Sequence, residues 1–151
     1  MKLVLALSFL FSNTSFANAQ TLKSLDHGRT SVKIPAAQRA RFKDISQSLR
    51  MAELTPIVNA NDEVICMEIS AIKDKVLETL LKAKVGDCFS QIRVFKREAS
   101  GGTSSEVHSV LSLTDAMTLY QELVGANRVD VDFTRKVAGK KTFVLMSYLM
   151  D

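Results

Sequence analysis

The stretch that most narrows the fold is a strict two-residue alternation near the C-terminal end. Val129, Val131 and Phe133 fall on one side of an extended chain, and Asp130, Asp132 and Thr134 on the other. Successive side chains of a strand point to opposite faces, so the pattern describes a half-buried strand. Val137, Ala138, Gly139 and Lys140 supply a turn, and Thr142 to Leu149 a returning partner strand. The apolar face of such a hairpin must lie on further elements, and the preceding chain offers helices and strands in mixed order.

From Pro35 the pattern is helical. Phe42, Ile45, Leu49 and Ala52 recur at three- and four-residue steps, opposite Arg39, Arg41, Lys43, Asp44 and Arg50. Leu54 to Val58, the polar run Asn59 to Asp62, and Val64 to Ile69 read as strand, tight turn, strand. Pro56 has no N–H to donate, which places the first of these strands at a sheet edge. Lys73 to Lys84, with Val76, Leu77, Leu80 and Leu81 on one face, reads as an amphipathic helix, and Gly86 and Asp87 turn the chain into a third strand, Cys88 to Val94. Lys96 to Glu106 is rich in Gly and Ser and reads as an exposed loop. The clearest helix follows: Ser112 or Thr114 caps it, Leu113, Ala116, Met117, Tyr120, Leu123 and Val124 form its stripe, and Gly125 stops it. The expected architecture is α+β, a small, partly open antiparallel barrel or sandwich of five to six strands with two to three helices.

The first nineteen residues carry a different message. Lys2 provides a positive charge, Leu3 to Phe11 an almost unbroken apolar run, and Ala17, Asn18 and Ala19 a small-residue end. This order predicts a secretory signal peptide cleaved after Ala19, and hence a periplasmic protein. Retention as an anchor is the weaker reading, because the run is about nine residues and a membrane-spanning helix takes roughly twenty. Residues 20–34 read as a flexible lead-in and residues 35–151 as one domain.

Composition excludes several functions. Lys and Arg number 20 against 16 Asp and Glu, interspersed, and Trp is absent; neither a basic nucleic-acid surface nor an aromatic stacking platform is formed, and a membrane is met only by association. The only cysteines, Cys66 and Cys88, either close a disulfide, as an exported chain permits, or stand as two small buried side chains. Together with His27 and His108 they match no metal-ligand spacing, so neither metal nor cofactor is expected. No nucleophile elbow, zincin helix or P-loop occurs, and the chain reads as non-catalytic.

Three local segments carry a family resemblance. Lys84 to Ile92 holds Gly86 and Asp87 before an apolar pair, Leu113 to Leu123 carries Leu119, Tyr120, Gln121, Glu122 and Leu123, and Ser46 to Pro56 carries Leu49, Ala52, Leu54 and Pro56. In this order the segments resemble the PDZ domain of the type II secretion system protein C family. The resemblance implies a peptide groove between the Val64 to Ile69 strand and the Leu113 to Val124 helix, with Ile65, Met67, Ala116, Met117 and Tyr120 as its lining. It implies a protein partner: a secretin, an inner-membrane secretion component or an exported substrate. The turn Asn59 to Glu63 has no Gly and two acids, which would repel a free C-terminal carboxylate. A scaffolding domain without a groove ligand, and a regulatory PDZ domain of an exported protease system, remain as alternatives.

Overall fold

The computed structural model describes residues 29–150. The expected signal and most of the expected lead-in, residues 1–28, lie outside the described residues, as does Asp151. The described chain folds as α+β, with eight strands in one mixed open sheet and four short helices. In chain order these are β1 (Thr30–Lys33), α1 (Ala36–Lys43), α2 (Ile45–Ser48), β2 (Ala52–Val58), β3 (Val64–Ile72), α3 (Lys75–Thr79), β4 (Cys88–Phe89), β5 (Gln91–Arg97), β6 (Thr103–Ser109), α4 (Leu113–Leu123), β7 (Ala126–Val137) and β8 (Lys140–Leu149).

The alternating hairpin is the spine of the sheet. β7 and β8 pair antiparallel from Arg128↔Leu149 to Val137↔Lys140. Ala138 and Gly139 both take positive φ at the turn, the geometry that lets a two-residue connection follow the twist of its strands. Val129, Val131 and Phe133 are buried as expected, and join Met146 and Tyr148 from β8 in the core. The polar face is less wet than the alternation implies. Asp130 is buried, because both its oxygens accept hydrogen bonds from Arg128, at 2.8 and 2.7 Å, and Ser147 Oγ donates to one of them at 2.6 Å. Arg29 reaches the same carboxylate at 3.6 Å and Asp132 at 2.6 Å.

β7 is long enough to serve two partners on its other edge. Its first half pairs with β5, from Val131↔Ile92 to Ala126↔Lys96, and Thr134 in its second half pairs with Cys88 of β4. The expected single strand from Cys88 to Val94 is therefore divided at Ser90, whose carbonyl accepts from the Val110 N–H at 3.0 Å. From β4 the sheet continues through β3 to β2, and from β5 it branches to β6.

Several expected boundaries move. The lead-in contains β1, which runs parallel to β8 and is followed by the almost fully buried Ile34. The expected flexible loop at Lys96 to Glu106 is mostly a hairpin, since β5 and β6 pair from Gln91↔Ser109 to Arg97↔Thr103 and only residues 98–102 turn. The helix expected from Pro35 to Ala52 breaks at Asp44, an extended residue whose Oδ1 accepts the Ser46 and Gln47 N–H groups and so starts α2. Ala52 already belongs to β2. The helix expected over Lys73 to Lys84 ends at Thr79, and Lys82 sits in the left-handed region where a helix cannot continue. Five to six antiparallel strands thus become eight, one pair parallel, and two to three helices become four.

Gly86 also adopts positive φ and turns the chain into β4. Asp87 beside it is fully buried and saturated. Arg135 of β7 donates to its two oxygens at 2.6 and 2.7 Å, and the Lys84 N–H donates at 2.8 Å. Its partner's guanidinium, held by that carboxylate, has its pKa raised further above the ordinary value. Tyr148 Oη donates to the Leu81 carbonyl at 2.7 Å, and burial pushes its pKa far up. These bonds moor the irregular segment 80–87 to the spine.

Candidate functional site

The implied groove requires β3 to offer an edge to the helix α4. β3 has neighbours on both sides instead: β2 covers it from Val64 to Ile72, and β4 meets it at Met67 and Glu68. A disulfide between Cys66 and Cys88, with Cα atoms 5.8 Å apart, ties β3 to β4. Ile65 is 48 % exposed and Met67 partly buried on the same strand. The five candidate lining residues therefore fall into two groups, Ile65 and Met67 on β3, and Ala116, Met117 and Tyr120 on α4.

Helix α4 is held by its two ends and one flank. The Ser112 side chain accepts the Asp115 N–H at 3.1 Å, and the Asp115 carboxylate accepts from the Leu111 N–H at 3.0 Å and from Ser109 Oγ at 3.1 Å, so the N-terminal turn is fastened to the end of β6. Seven residues further on, Glu122 of the same flank forms an ion pair with Lys96 of β5. That contact, with the charge of Lys96, holds the Glu122 carboxyl below its ordinary pKa. At the C-terminal end Lys43 donates to the Val124 carbonyl at 3.1 Å. Tyr120 sits half-buried beside Ser48 and Asp44 at the α1–α2 junction. Burial is the main cause of its raised pKa; the Ser48 hydroxyl opposes the rise and the Asp44 charge adds to it. Leu119 and Leu123 enter the core.

With 3.6 residues per turn, positions 113, 117, 120 and 124 share one stripe, opposite Asp115 and Glu122. On that stripe Leu113, Met117 and Val124 are 64, 54 and 70 % exposed. Leu49, at the end of α2 near Tyr120, is exposed too. Sequence reasoning found Met117 and Tyr120 by periodicity, but placed Leu113 and Val124 in the same packing stripe without separating its open part from its buried part.

A free sheet edge belongs to β2. Among the described residues β2 pairs only with β3, and it carries the exposed Leu54 and Val58. Ser48, shortly before β2, is the residue beside Tyr120. The other outer strands, β1 and β6, present mainly Thr, Ser, Glu and Lys.

A second cluster lies across α4 from the stripe. Strand pairing sets Val94 and Lys96 of β5 opposite Glu106 and Ser104 of β6, and these four residues with His108 and Glu122 line a cleft of about 350 Å³. One ligand-type atom each from Glu106, His108 and Glu122 lies within 4.8 Å of the other two.

Comparison with protein-family models, with curated proteins and with solved structures finds no match to this chain.

Proposed function

We propose that this chain is an exported, non-catalytic protein-binding module that works in the manner of a PDZ domain, holding an extended segment of a partner between a sheet edge and a helix. The observation that carries the reading is the open edge of β2, with Leu54 and Val58, in the same molecule as the bare apolar stripe of α4. An extended segment can hydrogen-bond to an unpaired strand edge while neighbouring apolar side chains select alternate residues. The receiving strand in this reading is β2 rather than β3, which is covered by β2 on one edge and met by β4 at Met67 and Glu68 on the other. The N-terminal signal pattern supports a periplasmic setting, and the family resemblance points to a partner within type II secretion, a secretin, an inner-membrane component or an exported substrate.

The experiment is copurification from the native envelope with Leu54→Glu and Met117→Glu variants, folding being checked by circular dichroism. Capture of a secretion component by the native chain, reduced at least tenfold in both folded variants, is the expected result. Undiminished capture by both variants overturns this site.

A further inference from the structure

We propose that Glu106, His108 and Glu122 form a binding site for a divalent late first-row metal ion, with Zn²⁺ as its natural probe, bridging β6 and α4. Sequence reasoning weighed His108 only with His27 and the cysteines, and expected no metal. Folding changes the set of neighbours. Glu106 and His108, two apart on β6, share one face of the strand, and α4 brings Glu122 over that face.

Four observations favour a cation here. His108 is 14 % exposed and its Nε2 is buried without a hydrogen-bond partner. A buried nitrogen of this kind ordinarily has a partner, because leaving it unpaired costs free energy. The Glu106 carboxylate approaches it only to 3.6 Å. The lining of the cleft sets two carboxylates, Glu106 and Glu122, against the one ammonium of Lys96. The donor set, one imidazole and two carboxylates, suits Zn²⁺, which takes three protein ligands and fills its remaining position with water where a site stays open.

The geometry needs little adjustment. Ligands around a tetrahedral Zn²⁺ stand roughly 3.4 Å apart, given bonds of about 2.1 Å. The present spread of up to 4.8 Å closes by rotation of the two Glu side chains, of which Glu106 is exposed. Lys96 currently occupies the place of a cation beside Glu122. Its side chain is 36 % exposed and can turn to solvent, so the metal displaces an ammonium rather than entering an empty cage.

Calorimetric titration of the purified full chain with Zn²⁺ near pH 7.5 tests this directly. One equivalent is expected to bind, with affinity falling at least tenfold in His108→Ala and in Glu122→Gln and unchanged in His27→Ala. Lys96→Met removes the competing ammonium and is expected to bind Zn²⁺ more tightly. Should His108→Ala misfold, His108→Phe fills the same space, and the change in the His108 Nε2 resonance of the native chain on adding Zn²⁺ reports ligation without any substitution. Absence of saturable binding, binding insensitive to both His108 and Glu122, or weaker binding in Lys96→Met would overturn the site.

Discussion

The flanks of α4 differ in what holds them. One is charged and closed: Asp115 is bonded to the end of β6, and Glu122 is paired with Lys96 of β5. The other is apolar and open, its Leu113, Met117 and Val124 largely exposed. Between them Leu119 and Leu123 supply the burial that seats the helix. A solvated helix face is ordinarily polar, and the inversion here separates residues that build the fold from apolar residues left in solvent.

That separation is broken or sharpened by substitutions of decreasing effect on stability. Leu119→Ala removes a buried side chain and is expected to cost about 2–5 kcal/mol in denaturant unfolding. A loss well below that would mean that the helix is held chiefly by its charged flank. Ser112→Ala removes the N-terminal cap and should cost about 1 kcal/mol by the same measurement. Glu122→Gln should lower Tm by less than the cap substitution, since its ion pair is part-exposed. The sign of its pH dependence follows from its lowered pKa. A carboxyl depressed in the folded state stabilises above its unfolded value and loses that contribution as pH falls through the folded one. The Tm difference between native chain and Glu122→Gln should therefore be present at pH 7 and shrink below about pH 4.5, the ordinary value from which Glu122 is depressed. Met117→Glu, on the bare flank, should change stability by no more than about 0.5 kcal/mol while removing partner capture.

The legibility of these regions from sequence varies with how much of each element's reason is local. The β7–β8 hairpin was readable because its burial alternates residue by residue. Asp87 was readable as a turn element, but its partner Arg135 lies 48 residues further on and nothing local marks it. β1 was missed because Thr30 to Lys33 contain one sizeable apolar side chain, and its pairing with β8 is a main-chain event. β6 was missed for a related reason: an edge strand can be Thr- and Ser-rich when only Ser104 and His108 of it are partly buried. The break at Asp44 did leave a signal, an N-cap residue before Ser46 and Gln47, which the apolar periodicity across it concealed. The apolar residues of α4 were legible as a stripe, whereas which strand presents a free edge depended on sheet order. Pro56 pointed correctly to β2 as an edge. The Glu106–His108 spacing was visible, but its meaning required Glu122 from a helix later in the chain.

The most direct test of the proposed binding site is photocrosslinking from single positions of the full chain in its native envelope, placing the reactive side chain in turn at Leu54, Met117, Val137 and Phe143. All four are exposed apolar residues, so general stickiness would label them alike. Crosslinks to one and the same secretion component from Leu54 and Met117, and none to it from Val137 or Phe143, are predicted. Equal labelling from all four positions, or labelling confined to Val137 and Phe143, would contradict a site between β2 and α4.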